Sequence, residues 1–493
     1  MKKIISIFLF MGLLVAQTRH MPADTTVVTK HKTTIRGKKV DYRATTGTQP
    51  VWNEDGNPIA AVHYTYYERT DIKKNPSRPI MISFNGGPGS GSVWMHLAYT
   101  GPMILNVDDE GFPVQPYGVK SNPFSILDVA DIVFVNPVNT GYSRILDKET
   151  KKETFFGVNA DIAYLAEWIN TFIQRVNRWE SPKYLIGESY GTTRVSGLAS
   201  ALQGRQWMYI NGVILVSPTE LGIDVGSGRR SGPLGAALRV PYFTAAAWYH
   251  NKLPRDLQRK DLLEVLKESE DYAVNKLISV IAKGGFVDER ERKKAAATMS
   301  RYSGISEESI LSYNLDVPTS FYWKELLREE GYTVGRLDSR YKGLDKTKGG
   351  VRPDFNSELT SWLHSFAPAI NYYYKNVLKF ETDVKYNMFG PVRPWDNKNN
   401  NTGENLRQAM AQNPYLHTMI QSGYYDGATK YFDAKYTMWR MDPSGRMKDR
   451  LSFKGYRSGH MMYLRREDLK LANEDIRTFI LNSTPEKGAP AKY

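Results

Sequence analysis

Four short apolar runs, each stopping at a glycine or a polar loop, set the tightest limit on how this chain can fold. They are residues 79–84, 131–135, 183–186 and 209–216. A strand buried on both faces shows no alternation, because each side chain meets a covering layer. Residues 159–176 lie between the second and third runs. Their apolar positions Ile162, Leu165, Ile169 and Phe172 fall on one side of a helix. Strands of this kind alternating with helices predict a mostly parallel sheet covered on both faces, an α/β class. Residues 25–68 instead alternate apolar and polar side chains and break at 36–38 and 53–57, which predicts antiparallel hairpins ahead of the parallel part.

The alternation stops at about Gly226. From there to about Asn413 the chain is largely helical in character, as in residues 257–269, 271–283 and 357–378. A structureless loop of that length is implausible inside a compact domain, so this stretch is expected to be an inserted helical cap. The expected division is a first core part at 17–225, the cap at 226–413, a second core part at 414–481 and a tail at 482–493. In the second core part, residues 416–421 read as a returning strand and 474–481 as a last helix.

Lys2 and Lys3 precede an apolar run over residues 4–16, too short for a stable span and suited to a signal peptide, here 1–16. The mature chain is thus expected to be exported, to periplasm or exterior, without a membrane span. The chain has no cysteine, which excludes disulfides, thiolate metal sites, a cysteine nucleophile and a lipidated N-terminal cysteine. The formal charge of +14 is spread among acids, with no basic stripe and no nucleic-acid motif. Nucleic acid is therefore not an expected partner.

The third run ends in Gly187-Glu188-Ser189-Tyr190-Gly191, a G-x-S-x-G pattern. At a strand-to-helix turn this is a nucleophile elbow, with the serine exposed above the sheet. The pattern alone also fits an ordinary glycine-rich turn. As a nucleophile Ser189 needs a histidine and an acid, following in the order serine, acid, histidine. Of eight histidines, His20, His31, His63 and His96 precede the serine, and His250 and His364 lie in the expected cap. His417 falls in an expected strand, where a buried structural role is the better reading. His460 remains, on a loop before the last helix. The returning strand runs into Ser422-Gly423-Tyr424-Tyr425-Asp426-Gly427, so Asp426 is the candidate acid, although an aspartate beside a glycine is also a common turn. An oxyanion hole would use the N–H of Tyr190 and one from a glycine-rich loop after an earlier strand; Asn85-Gly86-Gly87-Pro88-Gly89 is such a loop. It lacks the ending of a phosphate-binding loop.

In this order, Asn85-Gly86-Gly87-Pro88-Gly89-Ser90, Gly187-Glu188-Ser189-Tyr190, Asp426 and Gly459-His460-Met461 resemble the serine carboxypeptidases, exopeptidases of the α/β-hydrolase fold. Residues 242–254 look like bacterial members. The resemblance implies that Ser189, Asp426 and His460 form a catalytic triad and that Gly87 and Tyr190 supply the oxyanion donors. It also implies that Asn85, Gly86 and Glu188 hold the terminal carboxylate of a peptide substrate. Glu188 can donate to a carboxylate only when protonated, and burial near another carboxylate would raise its pKa. No metal or cofactor is implied.

Four positions depart from the family's usual pattern: Ser83, Ser90, Asn136 and Thr192. The expected function is an exported serine carboxypeptidase acting through an acyl-enzyme on Ser189. An esterase or acyltransferase with the same triad is the second reading, and a non-catalytic binding protein the third.

Overall fold

The computed structural model describes residues 19–73, 77–225, 228–398, 400–486 and 488–492. The expected signal peptide and residue 226, at the expected start of the cap, lie outside them. Ten strands form the main sheet: β1 (Thr25–Ile35), β2 (Lys38–Trp52), β3 (Pro58–Arg69), β4 (Ile80–Phe84), β5 (Asp131–Val135), β6 (Arg144–Ile145), β7 (Lys183–Glu188), β8 (Gly212–Val216), β9 (His417–Gly423) and β10 (Leu451–Tyr456). Their order is β1-β2-β3-β5-β4-β7-β8-β9-β10, with β6 beside β3. The first three strands pair antiparallel, as the alternation predicts. From β5 across to β10 every pairing is parallel. All residues of β4, β5, β7 and β8 are buried, which is why their sequences read as unbroken apolar runs.

Helices cover both faces. On one, α1 (Val158–Arg175) and α2 (Tyr190–Arg205) pack through Leu165, Ile169, Val195 and Leu198 onto Ile82 and Leu185. Asp161 of α1 and Arg194 of α2 form a fully buried ion pair at 2.7 Å. Arg194 also donates to the carbonyl of Asn85 at 2.7 Å, so the pair fixes the loop that follows β4. Between β8 and β9 the chain leaves the sheet. Here α3 (Gly232–Tyr249), α4 (Leu262–Tyr272) and α5 (Glu289–Ser303) build a separate apolar cluster that includes Phe243, Leu266 and Met299.

The later part of the expected cap packs differently. Phe366 and Ile370 of α6 (Ser357–Tyr372) join the cluster around Trp94, Ile132 and Ile186. Leu406, Ala409 and Met410 of α7 (Thr402–Gln412) join the cluster around α2. Both helices are amphipathic, and each apolar stripe is buried against the sheet's own layers rather than against α3–α5. The final helix, α8 (Arg466–Ser483), is longer than the expected 474–481 and is tied to the sheet where Tyr184 donates to the Ile480 carbonyl at 3.1 Å.

Candidate active site

Loops converge at the carboxyl ends of the parallel strands, where open α/β sheets bind ligands. β7 delivers Ser189 directly. Its φ of 58° and ψ of −125° lie in a region that side chains rarely adopt, and the turn persists because both flanks are packed. A Cβ on Gly187 would stand 2.2 Å from the Gly191 carbonyl oxygen, so strand and helix can cross here only at a glycine. The N–H of Ser189 donates to the Val216 carbonyl at 3.0 Å.

The loop after β4 presses against the same turn. A Cβ on Gly86 would meet the Tyr190 nitrogen at 2.5 Å, so the Gly86–Gly87 backbone lies over the start of α2. The Tyr190 N–H, first in that helix, has no intrahelical acceptor. Asn85 accepts from the Met95 N–H through Oδ1 at 3.0 Å. That bond orients the amide. Its Nδ2 is buried beside Glu188 and Tyr463.

Asp426 and His460 are brought together by β9 and β10. His460 Nδ1 lies 2.6 Å from Asp426 Oδ2. Asp426 is fully buried, and its other oxygen accepts from the Ala428 and Thr429 N–H groups at 2.8 and 3.0 Å. Thr429 Oγ1 lies 2.7 Å from Oδ2. These contacts and the one to His460 fix the position of the Asp426 carboxyl group. Burial works against a charged His460, but the Asp426 carboxylate more than offsets this and holds its pKa above the ordinary histidine value.

Glu188 is the titratable group the site perturbs most usefully. Burial drives its pKa up to about 7; His460 and a hydrogen bond from Tyr463 pull the other way, and Asp426 adds to the rise. Ser189, Glu188, Asn85, Gly86, Gly87, Tyr190 and His460 all line one cavity of about 630 Å³. Asp426 stands behind His460 and outside that lining. His417 begins β9, half-buried and away from the cavity, and burial lowers its pKa.

Three contributors were not anticipated. Tyr463 reaches Glu188 from the turn after His460. The Thr429 hydroxyl lies 2.7 Å from Asp426 Oδ2 and 2.9 Å from the Ser217 carbonyl and can give its one proton to either, and Ser217 Oγ donates to the His460 carbonyl at 2.8 Å. The third is a strap over residues 335–341. Its Leu337 carbonyl accepts from the His460 N–H at 2.7 Å, its Arg336 carbonyl from the Gly427 N–H at 3.0 Å, and Ser339 N–H donates to the Tyr425 carbonyl at 3.0 Å. A D-x-x-T spacing after β9 is a visible signal for Thr429; nothing in the sequence marks the other two.

The departing residues are absorbed locally. Asn136 accepts from the Ser92 N–H at 2.8 Å and holds His63, so it organises the loop after β5. Ser90 accepts from the Trp94 indole at 2.7 Å. Thr192 Oγ1 donates to the Ser189 carbonyl at 2.6 Å. Ser83 is buried in β4 with its hydroxyl unpaired among the described residues.

The family profile described as serine carboxypeptidase matches residues 38–219, which include the β4 and β7 loops but neither Asp426 nor His460. The chain is 30% identical over 193 residues to Serine carboxypeptidase-like 37 of Arabidopsis thaliana, covering 37% of this chain and 36% of that protein. It is 27% identical over 170 residues to Serine carboxypeptidase-like 36 of the same plant, covering 33% and 32%. These matches span about a third of the relatives' length. The crystal structure of a prohormone-processing carboxypeptidase from Saccharomyces cerevisiae aligns over 89% of this chain and 91% of its own, with a TM-score of 0.55 and 14% identity. The fold is that of the α/β-hydrolases.

Proposed function

We propose that this chain is a serine carboxypeptidase that removes single residues from the C-terminus of peptides. The observation that carries this reading is the pairing of two donors beside the serine: the buried Asn85 amide and a glutamic acid, Glu188, whose pKa burial raises to about 7. A peptide carboxylate is the anion such a pair would accept. An ester substrate without that group would leave both donors unsatisfied, at a cost of about 1–3 kcal/mol each.

In this reading Asp426 fixes Nδ1 of His460 and leaves Nε2 to take the proton of Ser189. Ser189 Oγ adds to the last peptide carbonyl. The resulting oxyanion receives the N–H groups of Gly87 and Tyr190, which need no reorganisation because the Gly86 contact already holds the two turns together. His460 returns its proton to the leaving amine, the C–N bond breaks, and the acyl group stays on Ser189. Water, deprotonated by His460, then adds to the acyl carbonyl and releases the shortened peptide. Gly86, Asn85 and Glu188 hold the departing residue's carboxylate.

The domain limits given above, a leader over residues 1–16, export and a bacterial origin belong to the same proposal. The last rests on residues 242–254 alone, and the relatives compared above come from a plant and a yeast. Among the described residues no helix is long and apolar enough to cross a membrane. A peptide library incubated at acidic and neutral pH and read by mass spectrometry tests the activity. Stepwise loss of C-terminal residues is the expected result. Internal cleavage, or hydrolysis of esters without loss of residues, would overturn it.

A further inference from the structure

The charge lining the cavity is one-sided. Arg229, Arg336 and Arg393 face it, and among the described residues no lysine or aspartate does. The single acid in the lining, Glu188, is held close to neutrality by its burial and is occupied by Tyr463. None of the three guanidinium groups has a hydrogen-bond or ion-pair partner among the described residues, whereas most arginines on this protein are paired through theirs, as Arg340 is with Asp338 and Arg440 with Asp224. Arg336 acts electrostatically on His460 and on Glu358, a buried acid whose own pKa burial raises to about 7. Below that pH, Glu358 is no counter-ion.

Two of these cations reach the cavity that holds Ser189 from different segments. Arg336 belongs to the strap whose Leu337 carbonyl takes the His460 N–H. Arg393 belongs to the segment that starts with the Gly390 N–H on the Gly89 carbonyl at 2.7 Å and ends with the Trp395 ring against Tyr190. A guanidinium is the side chain best suited to grip a carboxylate, by two parallel N–H bonds. The terminal carboxylate of a substrate is already provided for by Asn85 and Glu188. The arginines are therefore left for a second anion.

We infer that this site selects peptides with an acidic side chain, aspartate or glutamate, at one of the two positions flanking the scissile bond, and that Arg336 and Arg393 are the residues that select it. This rests on the exopeptidase reading above. The partial exposure of Arg336 and the fuller exposure of Arg393 make the selection one of charge, weakened by salt, rather than of pocket shape.

The test uses the full chain and one peptide series differing only in the last or the penultimate residue: glutamate, glutamine or lysine. At low ionic strength kcat/KM for glutamate should exceed that for glutamine by about ten- to a hundredfold at one of the two positions. Lysine should be the poorest. Raising the salt to 1 M should shrink the ratio. Arg336→Gln or Arg393→Gln should bring the glutamate-to-glutamine ratio towards one, and Arg336→Lys or Arg393→Lys should restore part of it. A loss of packing would lower both substrates together and leave the ratio alone. Equal rates for glutamate and glutamine at both positions, or a ratio that survives both glutamine variants, overturns the inference while leaving the exopeptidase intact. If the folded wild type trims none of the peptides, the exopeptidase reading fails and this inference falls with it.

Discussion

Replacing Glu188 by glutamine separates the carboxylate clamp from the rest of the chemistry. In the proposed mechanism the clamp works only while Glu188 holds its proton, and burial raises its pKa to about 7. At pH 6 roughly nine in ten molecules are then competent, and at pH 8 about one in ten. Each further pH unit removes roughly another factor of ten from kcat/KM on a peptide with a free terminus. The acid limb has a different owner. His460 must be neutral to accept the Ser189 proton, and its pKa is raised, so activity also falls as pH drops through that value. The expected profile is a narrow bell. Glutamine keeps an N–H donor and cannot ionise. Glu188→Gln should therefore flatten the alkaline limb; it also removes a charge that helps to raise the His460 pKa, so any movement of the acid limb should be to lower pH. A C-terminally amidated substrate should show no alkaline limb from this source with either enzyme. The assay is kcat/KM for one peptide, free and amidated, from pH 5 to pH 9 in both proteins. An alkaline limb that persists unchanged in the glutamine variant on free peptide would refute the assignment of Glu188.

A fluorophosphonate should label Ser189, and Ser189→Ala or His460→Ala should lower turnover by as much as about 10⁶-fold while circular dichroism stays native. Asn85→Ala should cost about ten- to a hundredfold on free peptides and far less on amidated ones, since one donor to a charged group is lost; equal losses on both would remove Asn85 from the clamp. Tyr463→Phe deletes a bond that favours ionised Glu188, so the alkaline limb should move to higher pH, and a shift to lower pH would contradict the geometry. Asp161→Ala strands the buried Arg194 and should destabilise the protein by about 3–5 kcal/mol in denaturant unfolding; a change below 1 kcal/mol would show the pair to be dispensable.

The parallel strands were legible because burial on two faces leaves a plain signature, an apolar run with abrupt ends. β10 carries none: in Leu451–Tyr456 only Tyr456 is buried, so an edge strand of Leu-Ser-Phe-Lys-Gly-Tyr looks like a loop. The start of α8 was hidden for a related reason, since Arg466, Glu467 and Asp468 open it with charge. Ser189, Asp426 and His460 could be named from order and from strand ends, and the fold supplies the 2.6 Å contact of the last two. Tyr463 and Glu188 are 275 residues apart, and a lone contact across such a distance has no local pattern to reveal it. The same holds for α6 and α7. Their amphipathic stripes declare that each packs against something, but not that the partner is the sheet's own helices rather than α3–α5.

The strap over residues 335–341 bears on how such an enzyme can change its diet. A substrate-shaping insert is usually pictured as an interchangeable part, replaced without touching the engine beneath. Here one short segment presents Arg336 to the cavity while its carbonyls hold the loops that carry Asp426 and His460. The fit leaves no slack: a Cβ on Gly459 would lie 2.5 Å from the Asp338 side chain. Selectivity and alignment of the proton shuttle are thus coupled through the same backbone. Exchanging the whole insert for a relative's would misalign the base before it altered preference, whereas side-chain changes along the strap can retune what is accepted and keep the machinery in register.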